Sequence, residues 1–313
     1  MPVAAAFCPA GISSFFEVCD HDAAGNPIGD PARVGARGGG FAIARGATSR
    51  VTVRKSRRTR IEIRINSQPA PNAQTTRSAI EQLITPRGIA VDILVEIKVQ
   101  VPIAAGFGTS AAGTLATCLA LTDAADLPTT LNELGRITHV AEVLNQTGLG
   151  TASALICGGF VLVSEPGAPG IGLIDRLPFP PDHSIVCAHL AAIQTKEALA
   201  KKVQGGRDQA ARAAINAIRR APTLSVFLAE SRKFGEQAGF ETPKITRLIS
   251  TMMTAGATGA AQNMIGEAVH AVAENSKTEK IARTVRRGFP LAKVFTSPID
   301  NQGVRLLGTD AKH

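Results

Sequence analysis

Tryptophan and tyrosine are absent from this chain, and its only aromatic residues are 12 phenylalanines spread over 313 positions. Binding of single-stranded nucleic acid relies on exposed aromatic faces on which bases stack. The one stretch whose charge suggests such a role, Arg50 to Ile65 (RVTVRKSRRTRIEIRI), contains no aromatic residue. Two readings of this run remain, a nucleic-acid contact and a solvated β-hairpin with a basic tip. Val51 and Val53, then Ile61, Ile63 and Ile65, alternate with polar residues, which favours the hairpin. Part of the formal charge of +9 then serves to attract anionic small molecules, and no nucleic-acid partner is expected.

Cysteine is also sparse. Cys8, Cys19, Cys118, Cys157 and Cys187 are odd in number and form no C-x-x-C pair, which argues for reduced, mostly buried thiols in a cytoplasmic protein and against a zinc site. No uninterrupted apolar run reaches the ~18 residues of a membrane span. The opening MPVAAAFCPAGISSFF has no charged segment ahead of a sustained apolar one, so neither a signal peptide nor a membrane partner is expected.

The informative segment lies between Val91 and Gly113. Val91, Ile93, Val95, Ile97, Val99 and Val101 alternate with mostly polar neighbours, as in a half-buried strand. Pro102, which lacks an N–H, ends it. Gly106 and Gly108 permit a tight turn, and Thr109 and Ser110 open a helix of small residues. A strand, a glycine loop and a helix N-terminus together make an anion site, because unpaired N–H groups and the helix dipole both favour negative charge. The loop is not a Walker A, since no Gly-Lys-Ser/Thr follows the glycines. It fits the dinucleotide pattern G-x-G-x-x-A, but that reading requires a second strand with an acidic residue roughly 20 residues on. The residues that follow, TDAADLPTTLNELGRITHVAEVLN, read as a turn and another helix instead. An unliganded glycine turn is the remaining alternative.

Along the chain, Ala4–Phe16 reads as a strand and turn, Ala36–Ala44 as a glycine-rich loop running into a strand, and Thr76–Ile84 as a short helix. The loop helix runs to about Thr122. Thr130 and Glu133 form a capping box for the next helix, whose apolar positions are Leu131, Leu134, Ile137, Val140, Ala141 and Leu144; Gly148 and Gly150 end it. Ala152–Val163 is apolar and becomes strand in its second half. The proline- and glycine-rich Glu165–His183 marks a boundary, giving domains at 1–164 and 165–313. Beyond it come a strand at Ser184–Leu190 and helices at Thr195–Val203, Asp208–Arg219, Thr223–Gly235, Pro243–Thr254 and Gly259–Ala273. A final strand spans Ala292–Thr296, and the fold class is α+β.

The pattern Pro-x-x-x-Gly-x-Gly-x-Ser-Ala-Ala, met at Pro102, Gly106, Gly108, Ser110, Ala111 and Ala112, resembles the ATP loop of the GHMP kinases. Further segments resemble the archaeal pantoate kinases, a branch acting in coenzyme A synthesis. They are Phe7 to Glu17, Gly35 to Phe41, Pro166 to Gly170, Thr195-Lys196-Glu197 and Ser297 to Gly303. The resemblance implies an N-terminal domain like ribosomal protein S5 domain 2 and a ferredoxin-like C-terminal domain. It also implies transfer of the ATP γ-phosphate to the primary hydroxyl of pantoate, with ATP and Mg2+ as cofactors. Nucleotide-binding residues would be Pro102, Ala105, Gly106, Phe107, Gly108, Thr109, Ser110 and Ala111. Ser110 and Glu142 would hold the metal, and His139 would face the substrate. Without the resemblance, His139 reads equally as a half-exposed helix histidine and Glu142 as a solvated helix glutamate. One departure stands out: where the family reads Thr-Gly-Leu-Gly-Asp, this chain has Thr147-Gly148-Leu149-Gly150-Thr151, so Thr151 occupies the position of the catalytic aspartate. Val163 stands where an arginine is usual. A pantoate kinase working without an aspartate base, a kinase for another small hydroxy acid (shikimate- or mevalonate-like), and a non-catalytic nucleotide-binding paralogue are all consistent with this pattern. A homodimer is the expected assembly.

Overall fold

Two long antiparallel strands, β1 (Val3–Cys19) and β2 (Gly35–Lys55), run side by side through the centre of the molecule. The computed structural model describes residues 2–191 and 204–308. The turn expected near Phe16 is absent, because β1 continues through it with register shifts at Pro9/Ala10 and Ser13/Phe15. The glycine loop expected at Ala36 is strand as well. Here β2 passes between β1 and β6 (Phe160–Glu165) so closely that a Cβ on Gly40 would lie 1.8 Å from the Ile12 carbonyl oxygen. Only glycine permits that approach.

β2 changes partner along its length. Residues 38–41 pair with β6, and residues 47–55 pair with β5 (Val91–Val99). The Arg50–Ile65 hairpin is not formed, since β5 lies between β2 and β3 (Arg60–Ile65) and pairs with β3 in parallel. Period-2 alternation determines which face of a strand is buried but not which strand lies beside it. The more apolar β5, with Val91, Ile93, Val95 and Ile97 all buried, takes the central position. A short β4 (Gln68–Pro69) continues that edge.

One face of this sheet is covered by α1 (Gln74–Ile84), α2 (Thr109–Ala124), α3 (Leu131–Asn145) and α4 (Thr151–Cys157). α2 is made of small and apolar residues and is buried almost all round, from Ala111 to Ala124. At α3 the Thr130 hydroxyl accepts the Glu133 N–H at 3.1 Å, whereas the Glu133 carboxylate goes to Arg87 and Thr129. Only half of the capping box is therefore made. Leu131 and Leu144 lie in solvent, because the buried stripe of α3, which packs on the neighbouring helices, is carried by Leu134, Thr138 and Ala141. The helix stops at Asn145, with Gln146 left-handed, ahead of the glycines expected to end it.

The second sheet is antiparallel, in the order β11 (Lys293–Ser297), β8 (His183–Ala191), β10 (Glu267–Glu274), β9 (Gly259–Gln262). With the intervening helices this is a ferredoxin-like arrangement. The helix expected over Gly259–Ala273 is the pair β9 and β10, since Ala260, Ala261, Ala268 and Ala271 are buried in the sheet and tertiary packing overrides alanine's helix preference. Helices α5 (Gln204–Arg220) and α6 (Leu224–Gln237) pack between the sheets, and α7 (Pro243–Thr254) and α8 (Asn275–Gly288) cover the far face. α8 had no counterpart in the sequence reading. β7 (Leu173–Leu177) and β12 (Arg305–Leu307), both beyond residue 165, join the first sheet. The expected helix Thr195–Val203, and with it Thr195-Lys196-Glu197, lies outside the described residues.

The scarce aromatics gather where the two sheets meet. Phe160 lies 4.9 Å from Phe41 and 4.6 Å from Phe227 between ring centroids, and Phe15, Phe16 and Phe234 extend the cluster. Inside the same interface, Ser14 donates to His270 Nε2 at 3.0 Å, and His270 Nδ1 donates to Asn263 Oδ1 at 2.9 Å. Burial pushes the His270 pKa down to about 3 from its ordinary 6.5. The unfolded chain therefore takes up a proton that the fold excludes, and this costs stability only below pH 6.5, increasingly as pH falls toward 3. Between pH 7.5 and 4.5 the wild type is expected to lose ~2–3 kcal/mol more than His270→Gln in urea unfolding. Parallel losses in the two proteins would mean that the imidazole protonates within the folded state.

Candidate active site

The change of partner along β2 opens a cleft of about 180 Å³ over the N-terminus of α2. Its walls come from β1 and β2, the loop Ala104–Ser110, the loop Thr147–Thr151, β6, and the turn Met264–Ile265 of the second sheet. The N-cap of α2 is Gly108, at φ +57°, and no side chain caps the helix. The first N–H groups of the helix are therefore left for a ligand. The loop is held on both sides: the Gly11 N–H bonds the Phe107 carbonyl at 3.1 Å, and a Cβ on Gly266 would lie 2.7 Å from the Ala105 backbone.

Of the residues singled out from sequence, Ala105, Gly106, Phe107, Gly108, Thr109, Ser110 and Thr151 line the cleft. Pro102 is half-buried behind the loop, and Ala111 is buried in the first core. Thr151 begins α4 and turns its methyl group toward Gly108, where a Cβ would lie 2.7 Å from Thr151 Cγ2. His139 is not part of the cleft wall. It is 1% exposed, its Nε2 donates to the Val34 carbonyl at 2.8 Å, and burial holds its pKa below the ordinary value. It thereby fixes the backbone leading into β2.

Glu142 lies behind the Ser110 and Thr147 hydroxyls, 2% exposed. Burial pushes its pKa up to about 7, although hydrogen bonds from Ser110 and Thr147 pull it down. Its Oε2 has no hydrogen-bond partner, and a Cβ on Gly148 would lie 2.5 Å from that atom. A buried carboxylate oxygen without a donor, next to a hydroxyl, suits a hard cation that keeps some ligands from phosphate and water. Among the described residues no group of three or more His, Cys, Asp or Glu could hold a metal alone. Sequence reasoning missed the Met264–Ile265 turn and the pairing of Arg37 with Glu17, whose partners stand far apart in the chain.

The charged form of Glu142 opposes folding from the ordinary carboxylate pKa of 4.5 upward, increasingly to about pH 7 and constantly beyond. Without metal, Glu142→Gln is therefore expected to be more stable than wild type by up to ~3 kcal/mol at pH 8, with the difference vanishing near pH 4.5. Denaturant titration across this range checks it, and a destabilised variant at pH 8 would show that the carboxylate already has a cationic partner.

Residues 74–159, which include the loop, α2 and α3, match the model for the GHMP kinase N-terminal domain. A pantoate kinase from Methanospirillum hungatei is 30% identical over 285 residues, covering 87% of this chain and 88% of that protein. One from Thermococcus kodakarensis is 25% identical over 297 residues, covering 93% and 95%. A solved structure described as a phosphotransferase related to the CoA biosynthesis pathway superposes with a TM-score of 0.85 at 22% identity, covering 99% of this chain and 100% of that one. The glycine loop, the buried glutamate behind it and the two-sheet frame thus coincide with extended similarity in sequence, and the chain belongs to the pantoate kinase family of GHMP kinases.

Proposed function

We propose that this protein transfers the γ-phosphate of ATP to the primary hydroxyl of pantoate, giving 4-phosphopantoate and ADP. The uncapped N-terminus of α2, opening on the cleft with the unpartnered Oε2 of Glu142 behind it, is the observation that carries this reading. The α2 N–H groups and the loop backbone hold the triphosphate, and Ser110 and Glu142 are the side chains that would hold magnesium. Bound there, the ion supplies neutralising charge to the phosphate oxygens. The acceptor oxygen forms a bond to the γ-phosphorus as the bond to the β–γ bridging oxygen breaks. Phosphoryl transfer of this kind depends chiefly on positioning and charge.

The acceptor proton has no carboxylate to receive it at Thr151, whose hydroxyl is not basic near neutral pH. It leaves late, to water or to an oxygen of the transferred group. General-base help is worth ~10²–10⁴-fold, so a slower enzyme results.

Two experiments test the reading. In Gly108→Val a β-branched residue is forced to φ +57° and against Thr151, so calorimetry should show MgATP affinity reduced by at least ~10-fold. Unchanged affinity would remove the loop from the nucleotide site. Thr151→Asp, a substitution of similar volume, should raise turnover on pantoate by up to ~10²-fold. A fall in turnover would show that the site has been rebuilt around a neutral residue, and background turnover in both proteins would indicate a nucleotide-binding paralogue.

A further inference from the structure

The cleft is walled by glycine, alanine, larger apolar side chains and hydroxyls, and among the described residues lining it a single one carries charge, Arg37. Arg37 stands on β2 directly across from Glu17 on β1, and the two side chains meet as a cross-strand pair. Arg37 Nη2 donates to Glu17 Oε1 at 3.2 Å, and its Nε lies 3.0 Å from Oε2. Glu17 is 1% exposed. It also accepts from Arg212 Nε on α5 at 2.6 Å, so one buried carboxylate is shared by two guanidinium groups. The cluster retains one positive charge. Arg212 is largely in solvent and outside the cleft wall, whereas Arg37 is mostly enclosed and opens onto the cleft. A guanidinium held in place by a buried partner and facing a neutral cavity is preorganised to receive a planar anion through two parallel hydrogen bonds.

We infer that Arg37, oriented by Glu17, receives the carboxylate of the acceptor and restricts the site to hydroxy acids. The inference rests on the phosphotransfer reading for the presence of a small hydroxylated acceptor in this cleft. Arg37 is the specificity-determining residue, and Glu17 and Arg212 are positioning residues that act through it.

The test is a binding measurement that does not require turnover. Protein saturated with magnesium and a non-hydrolysable ATP analogue is titrated calorimetrically with pantoate and, separately, with its carboxamide. Wild type should bind pantoate at least ~10-fold more tightly than the carboxamide, and Arg37→Gln should weaken pantoate ~10- to 100-fold and abolish that preference. Arg37→Lys, which keeps the charge and a partner for Glu17 but not the planar fork, should recover part of the preference. Nucleotide affinity should stay within about twofold in both variants, since the phosphates bind elsewhere in the cleft. Three results overturn the inference: wild type binding both ligands equally or neither, a preference that survives in Arg37→Gln and Arg37→Lys, or a loss that falls on the nucleotide, which would make Arg37 a phosphate ligand. A separate turnover assay on wild type decides the phosphotransfer reading. Carboxylate-selective binding without turnover would remove that reading and leave the role of Arg37 standing.

Discussion

The molecule is organised by the closeness with which β2 passes β1 and β6. At Gly40 the backbones approach so tightly that a Cβ would lie 1.8 Å from the Ile12 carbonyl oxygen. This contact lets one strand pair with β6 over residues 38–41 and then with β5 over residues 47–55. A sheet that changes partners in this way leaves a gap between its branches, and α2 points its N-terminus into that gap. The second sheet completes the enclosure through one turn, where the Met264 N–H bonds the Ser13 carbonyl at 2.8 Å and Gly266 packs on Ala105. The loop is therefore gripped by β1 on one side and by the ferredoxin-like sheet on the other. A loop held in this way gives backbone donors that need little reorganisation when an anion arrives.

Legibility in the sequence followed the range of the interactions. The Val91–Ala124 unit could be read because strand, glycine turn and helix are contiguous and each is specified by its own residues. α7 matches the helix expected at Pro243–Thr254; in the structure Thr242 caps it, Pro243 opens its first turn, and Ile245, Leu248, Ile249 and Met252 are buried. The order of strands was not legible. β3 resembles a hairpin partner of β2 by alternation, yet pairs in parallel with β5, and nothing local to either strand distinguishes the two arrangements. Gly259–Ala273 failed for a related reason, since a stretch of alanines buried on both faces of a sheet has no period to read.

The site divides in the same way. Its glycine loop and helix N-terminus were visible as a motif, but the pairing that orients Arg37, the one charged side chain among the described lining residues, was not. Glu17 looks like a lone carboxylate in an apolar strand, and its partners stand 20 and 195 residues away. Glu142 shows the complementary point: the family resemblance singled it out where the helix alone suggested a solvated glutamate, and the close packing of Gly148 on its carboxylate shows how it is desolvated. Its environment turns an ordinary surface residue type into a group that opposes folding when charged and keeps one oxygen without a hydrogen-bond partner.

Thr151 can be understood from what the rest of the cleft retains. The methyl group of Thr151 fills the space between Gly11 and Gly108, where imaginary Cβ atoms would lie 3.1 and 2.7 Å away, so this position braces the loop whatever its chemistry. With threonine at this position, Arg37 is the one charged side chain among the described lining residues, which under the proposed function leaves the cleft free of any lining carboxylate that would oppose a triphosphate or an acceptor carboxylate at Arg37. General-base assistance supplies ~10²–10⁴-fold, a minor part of a phosphotransfer acceleration that rests chiefly on positioning and charge. On the proposed reading, the backbone donors, the buried glutamate and the oriented arginine supply the larger part, and a threonine at position 151 forgoes only the smaller one.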